Sequence, residues 1–451
     1  MNQSIIKCIL LSLMSVFWCQ PALSQKSMDC GQTGHPCVSL NADFSTILHL
    51  RNDTDFDSTP RYYDVDGQSQ GQVATFFSPT LKLKNKDNIE LVYRIELGWN
   101  GWSRNDPGLP NQFLAPEQNG LSARHKEIWV NWQDEAYELK VGYQRIADPS
   151  RLFLDHFAGA VQFSVRLQAH RFTLLAAQLP ETAYEGLDVA SDNFLTDSFV
   201  FGGTYQFEFK PGFEIDSAVY SRFDQQSIGR PLMLSTAVAG LRIDAKDYEA
   251  WFHILGQFGQ WHGGGVGNRD VRLMGSAVQA GGTRRMGRLT LGVNVFALSP
   301  DDDHHGNQSQ LAFIGSAKNN SRTRVLTEDE TRDRYDNLDE SMGTFWGAFI
   351  VNPAGLMVAD LSVGYGVTND YELGFVVGTG TTLNEKRSFG NTYVGTELAL
   401  NNTLKMSQTL SVFLSGFAFL PGEAAAAFIN DIDRQSTDYL YGLATGLQAQ
   451  F

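Results

Sequence analysis

Between Ile89 and Trp99 the apolar residues fall on every second position. Ile89, Leu91, Tyr93, Ile95, Leu97 and Trp99 share one face, and Glu90, Val92, Arg94, Glu96 and Gly98 share the other. A helix would set Leu91 and Ile95 beside Glu90 and Arg94, so the period of two predicts a strand. Residues 73–84 alternate in the same way, and the polar run Asn85-Lys86-Asp87-Asn88 joins the two segments as a tight turn. This hairpin recurs along the chain. Further short turns are predicted at 133–136, 168–171, 210–213, 244–247, 282–287, 352–355 and 401–405, which makes eight. Longer polar stretches separate the pairs at 101–121, 147–157, 181–196, 299–341, 368–389 and 421–437, with shorter ones after Asp224 and Phe258.

Short turns alternating with long loops are the asymmetry of an outer-membrane barrel, whose periplasmic turns are short and external loops long. A first strand near 38–50 and a last near 438–451 bring the count to about eighteen, within a range of 16–18. The expected fold is therefore all-β, a transmembrane antiparallel up-and-down β-barrel with both ends on the periplasmic side. A soluble barrel of that size would enclose a lumen too wide for side chains to fill. Here the face opposite the apolar one carries Glu, Arg, Gln, Lys, Ser and Asn, which suits water. Closure also satisfies every backbone group in lipid. Aromatic residues such as Trp99, Trp132, Tyr137, Tyr143, Phe207 and Phe209 gather near strand ends, as interfacial girdles do. The final strand places Tyr439, Tyr441, Leu443, Thr445, Leu447, Ala449 and Phe451 on one face. Its terminal aromatic resembles the signal read by the bacterial outer-membrane assembly machinery, which makes Tyr441, Leu443, Leu447 and Phe451 the assembly candidates.

The N-terminus points to export. Lys7, an apolar core from Ile5 to Trp18 and the Ala22-Leu23-Ser24 site predict a signal peptide over 1–24. Residues 25–37 then form a short periplasmic segment, and 38–451 the barrel. Only Cys30 and Cys37 remain in the mature chain, and in an oxidising compartment they are expected to close a disulfide. Composition agrees with a membrane barrel: 43 Gly and 12% aromatic residues accompany only 19% charged ones. That balance excludes disorder. The net charge of −15 leaves no basic footprint for nucleic acid.

By alternation the lumen receives Lys82, Glu90, Arg94, Glu96, Glu127, Asn131, Glu138, Lys140, Gln162, Arg166, Gln206, Glu208, Glu214, Asp216, Arg222 and Glu249. Arg145 lies where a strand passes into a loop. Rings of charge inside a pore position charged solutes. The stretch Val141-Gly142-Tyr143-Gln144-Arg145, followed by a short loop with Asp148 and a strand starting near Gly159, resembles the alginate-export family of outer-membrane porins. Tyr143 stands where members of that family often carry Arg. The resemblance implies a monomeric 18-stranded barrel passing an acidic polysaccharide, with Arg94, Lys140, Arg145 and Arg166 contacting carboxylates, since guanidinium forks match them.

The longest loop carries Asp301, Asp302 and Asp303. Such a cluster binds a divalent ion or bridges one to lipopolysaccharide only with suitable spacing, and no EF-hand spacing is present. No cofactor is expected. His125 and His253 fall on predicted inward positions and His156 beside Asp155, without a catalytic arrangement that sequence can orient, so no enzyme is expected. The expected function is an outer-membrane porin of a Gram-negative bacterium, embedded in lipid and lipopolysaccharide. It would pass small anionic or sugar-like solutes by diffusion. The alternative is a structural or adhesion barrel whose external loops bind partners while the pore stays closed.

Overall fold

The computed structural model describes residues 37–51, 70–85, 88–99, 122–179, 198–224, 231–262, 269–301, 309–315, 321–323, 326, 345–346, 349–351, 354–388, 390–425 and 437–451. Eighteen antiparallel strands form one closed sheet. They are β1 (Cys37–Arg51), β2 (Gln70–Lys84), β3 (Ile89–Trp99), β4 (Ser122–Gln133), β5 (Tyr137–Ala147) and β6 (Asp155–Leu167). Next come β7 (His170–Leu179), β8 (Ser198–Lys210), β9 (Phe213–Asp224), β10 (Leu232–Ala245), β11 (Tyr248–Trp261) and β12 (Ser276–Met286). The last six are β13 (Leu289–Leu298), β14 (Leu356–Gly366), β15 (Tyr371–Thr381), β16 (Tyr393–Lys405), β17 (Leu410–Pro421) and β18 (Leu440–Gln450). Each strand pairs with its neighbours in sequence, and β1 pairs with β18 from Asp43↔Gln450 to Arg51↔Gly442. Two backbone bonds extend this seam, Ala42 N to Phe451 O at 3.1 Å and Phe451 N to Ala42 O at 2.9 Å. Among the strands of the barrel no edge is left open, as spanning lipid requires.

Three turn readings move. Of the turn predicted at 282–287, residues 282–286 belong to β12, and the true turn is 287–288. Of the turn predicted at 352–355, Ala354 and Gly355 lie at the loop end, before β14 begins at Leu356, while 352 and 353 lie outside the described residues; the short turn of that hairpin is 367–370. There Thr368 Oγ1 accepts from Asp370 N and Tyr371 N, a hydroxyl-capped turn. Residues 401–405 belong to β16, and the true turn is 406–409. Asn402 mimics a turn residue, yet it is held inside the sheet by Tyr371. The predicted loop 368–389 accordingly contains β15. Each shift exchanges one segment for a neighbour, so the total survives.

The alternation sorts lipid from lumen. Outward positions carry exposed Ile128, Val130, Val161, Leu174, Val219, Ile254, Leu361 and Leu400. Trp132, Tyr137, Phe209, Tyr248 and Tyr365 are exposed near the turn end, and Tyr393, Tyr439 and Tyr441 near the loop end. The inner wall alternates large side chains with glycine. A Cβ on Gly202 would fall 2.4 Å from the Tyr220 ring, and one on Gly281 would fall 2.5 Å from Trp251. Glycine is therefore demanded at these positions by a ring on the next strand.

One bulge changes a facing. Between Arg94 and Ile95 the register of β3 on β4 slips, so Arg94 opposes Glu127 while Ile95 opposes His125. Past the extra residue the parity of β4 reverses. Lys126 enters the lumen and reaches Glu96, whereas His125 turns out to join Tyr93 at 2.9 Å, contrary to its predicted inward position.

Residues 1–36, with the predicted signal peptide and Cys30, lie outside the described residues. Cys37 is disulfide-bonded at the start of β1.

Candidate solute pathway

Two external loops fold into the barrel mouth. The first, between β5 and β6, is organised by Asp148. Its carboxylate accepts from Ser150 N and Oγ, from Phe153 N at 3.1 Å and from Leu154 N at 2.7 Å. Burial pushes the Asp148 carboxyl above its usual range, and these donors oppose the rise. Arg151 takes a left-handed conformation (φ 65°), which reverses the chain. Leu152, Phe153 and Leu154 are fully buried as a result, with Phe153 5.8 Å from Tyr220 of β9 between ring centroids. Each such side chain contributes about 1.5–3 kcal/mol by leaving water.

The second is the loop between β13 and β14. Its buried Ala312, Phe313 and Ile314 descend along β11 and β12. Gln257 of β11 holds them through its amide: Nε2 donates to Ile314 O at 2.7 Å, and Oε1 accepts from Ile314 N at 2.9 Å. Thr236 Oγ1 takes a further bond from Gln257 Nε2 at 3.1 Å. Farther along, Arg322 reaches Ser362 and Thr283, and Leu326 N donates to Glu397 at 3.2 Å. The two loops touch, because Gly315 packs against Leu152 and Phe153. Beyond Ile314, the pairs Ile314–Gly315, Phe349–Val351 and Phe345–Trp346 add a small separate sheet. The long loop thus narrows the pore from within.

Asp301, a metal candidate by sequence, joins two segments at the loop end. It pairs with Arg387 at 2.7 Å and accepts from Leu311 N at 3.2 Å, so it anchors this loop to the segment after β15. Asp302 and Asp303 lie outside the described residues. Among the described residues no His, Cys, Asp or Glu group is placed to hold a metal.

Several of the predicted lumen charges meet an opposite charge. Arg94 meets Asp43 at 3.3 Å, and Glu96 meets Lys126 at 2.9 Å. Glu138 meets Arg171 at 2.9 Å. Lys140 lies 4.1 Å over the Trp129 ring, with Glu127, Glu138 and Glu90 around it. Lys82 and Arg166 sit on the lumen face toward the turn end, Arg166 opposite Arg171. Arg222 is buried near the loop end, with Nε 3.3 Å from Ser198 Oγ. Arg145 departs from the set. It shares its face with Tyr143 rather than Lys140, and both it and Arg151 are fixed on Asp155, at 2.7 and 2.6 Å.

Sequence reading missed Arg171, Asp43, Lys126, Arg242 and Trp251. Arg171 was assigned to a turn, and Lys126 needed the bulge. At the turn-end mouth, Glu208, Glu214, Asp244 and Glu249 share a recess of about 570 Å³ with Arg242, Lys246 and Arg285. Arg242 bonds Glu249 at 3.0 Å. The described lining is of mixed sign from one mouth to the other.

No family model matches the chain, and no curated protein matches it. Solved structures do. A BenF-like porin from Pseudomonas fluorescens Pf-5 superposes with a TM-score of 0.58 at 10% identity, over 93% of this chain and 100% of that one. OccAB1 of Acinetobacter baumannii gives 0.56 at 9%, over 92% and 96%. OpdK of Pseudomonas aeruginosa, solved with vanillate, gives 0.53 at 12%, over 92% and 98%. The fold is that of an outer-membrane porin. At these identities the likeness concerns architecture, the closed barrel itself. The alginate-export resemblance of residues 141–159 gains no support from these porins.

Proposed function

We propose that this chain is a channel in the outer membrane of a Gram-negative bacterium, passing small hydrophilic solutes by diffusion through a lumen narrowed by its own loops. The observation that carries the reading is the Gln257–Ile314 hold, which seats an external loop on the inner wall of a polar-lined, lipid-facing barrel. A loop pinned inside a water-filled barrel sets the size of what passes. The same filling argues against a polymer path, because a polysaccharide needs a continuous open groove. Paired lumen charges support weak ion selectivity, with neutral and anionic small solutes both admitted. A cleaved signal peptide, a Cys30–Cys37 disulfide, recognition of the last strand by the assembly machinery, contact with lipopolysaccharide and a monomeric state complete the proposal.

The test is conductance of the mature barrel in a planar bilayer, with reversal potential across a salt gradient. A steady single-channel conductance with modest selectivity is expected. A correctly folded barrel with no conductance would overturn the reading and leave a structural or adhesion barrel.

A further inference from the structure

Resting on the channel reading, we propose that the lumen wall holds a binding site for a neutral, polyhydroxylated solute, formed by Trp251, His253, Gln279, Asn294 and Asp216. These residues are neighbours on the inner face. Asp216, Gly240, His253 and Gln279 lie in one register row across β9 to β12, and Trp251, Gly281 and Asn294 in the row beside it. Gly240 and Gly281 are the gaps that let the side chains converge: His253 spans Gly240 to face Asp216 at 3.4 Å, and the Trp251 ring lies over Gly281.

Each member is left with an unanswered polar atom. Buried and without a hydrogen-bond partner are Trp251 Nε1, Gln279 Nε2 and Oε1, Asn294 Oδ1, Asp216 Oδ1 and His253 Nδ1. Gln279 is fully buried, and Asp216, His253 and Asn294 nearly so. Buried polar groups in folded proteins are almost always paired, so six orphans on two adjacent rows mark a place built for something else. The wall on the loop side of this patch is apolar, with Ala218, Val238, Leu255 and Ala277. Loop residues flank it, Phe313 against Gly275 and Arg322 against Gly292.

The orphan set selects the chemistry. Trp251 Nε1 and Gln279 Nε2 can only donate. Gln279 Oε1, Asn294 Oδ1 and Asp216 Oδ1 can only accept. Asn294 Nδ2 is already engaged with Asp360 at 3.2 Å. With Nε2 protonated toward Asp216, His253 Nδ1 also accepts. A carboxylate, which accepts only, would answer two atoms and meet Asp216 as a like charge. A cation would leave the two donors bare. Hydroxyl groups donate and accept at once, and the apolar face of a sugar ring suits the Trp251 indole, the usual make-up of a pocket with a few placed polar groups.

Saturation-transfer NMR with D-glucose, on the full barrel folded in an amine-oxide detergent lacking sugar headgroups, tests this. A saturable glucose signal is expected, weakened tenfold or more in Gln279→Leu and in Trp251→Phe. Replacing an unpartnered buried amide by Leu leaves folding intact, which heat-modifiable gel mobility verifies. The titration is repeated in Gln257→Leu, where the loop hold is broken and access is free. No saturable signal in either background, equal signals in the site variants, or a benzoate signal that the site variants abolish while glucose gives none, would each overturn the site. Conductance measured in parallel separates the two readings: a conducting barrel that binds no glucose sinks the site alone, and a binding barrel that never conducts sinks the channel.

Discussion

Replacing Gln257 by Leu keeps the side-chain volume and removes the amide that grips Ile314. Three bonds disappear, two to the Ile314 backbone and one to Thr236. With the loop still seated, Ile314 N and O would be buried without partners, at about 1–3 kcal/mol each. Opposing release is the burial of Phe313 and Ile314, about 1.5–3 kcal/mol apiece. The two quantities are comparable, so the variant moves the loop from firmly seated to exchanging. A net change of about 2 kcal/mol multiplies the released population roughly thirtyfold. The assay is single-channel recording, with rates of liposome swelling for solutes of graded size. Conductance should rise and fluctuate, and the size limit should increase, while gel mobility still reports a folded barrel. Gln260→Leu is the control, because Gln260 bonds Asp270 at the rim and does not touch Ile314. A folded Gln257→Leu barrel with unchanged conductance, noise and size limit would refute the reasoning.

Other substitutions probe the remaining elements. Asp148→Ala removes the acceptor for four donors and should free the Leu152–Leu154 loop, raising conductance and exposing that segment to added protease, with Asp148→Asn milder because one acceptor oxygen remains. Glu138→Gln releases Arg171 and should shift the reversal potential toward anions, whereas Arg94→Gln releases Asp43 and should shift it toward cations; both should change stability by less than about 1 kcal/mol, since such half-exposed pairs are weak. Val219→Arg, on the outward face at 59% exposure, should cost about 2–4 kcal/mol in urea titrations of folding into lipid vesicles if that face meets hydrocarbon, and close to nothing if it meets water. Deleting Phe451 removes both backbone bonds beyond the β1–β18 ladder and should reduce the yield of heat-modifiable barrel on assembly.

The strand-by-strand alternation was readable because lipid and water lie on opposite faces of every strand, and successive side chains sample both. The β3 boundaries, the last strand and the turns at 134–136 and 211–212 follow from that contrast. The turns near 355 and 402 were misread for a local reason: Ala354-Gly355 lies at the other end of the barrel, and Asn401-Asn402 looks like a turn inside a strand whose lumen face is polar anyway. His125 was misplaced because one inserted residue in β4 reverses parity, and a bulge has no compositional mark.

The candidate site was legible only as a list of inward residues. Period two says which face a residue occupies and nothing about its partner across the sheet. Arg94 finding Asp43, or Asp216, His253 and Gln279 falling in one row, depends on register among strands separated in sequence. The sequence by itself determined a closed transmembrane barrel of about eighteen strands, since closure and an apolar exterior are conditions lipid imposes on every strand separately. Tertiary structure alone decided that two external loops enter the lumen, that Gln257 and Asp148 hold them there, and that lumen charges such as Arg94, Glu96 and Glu138 are paired. Those outcomes rest on contacts between distant segments, whose energies appear only when the barrel has brought them within hydrogen-bonding distance.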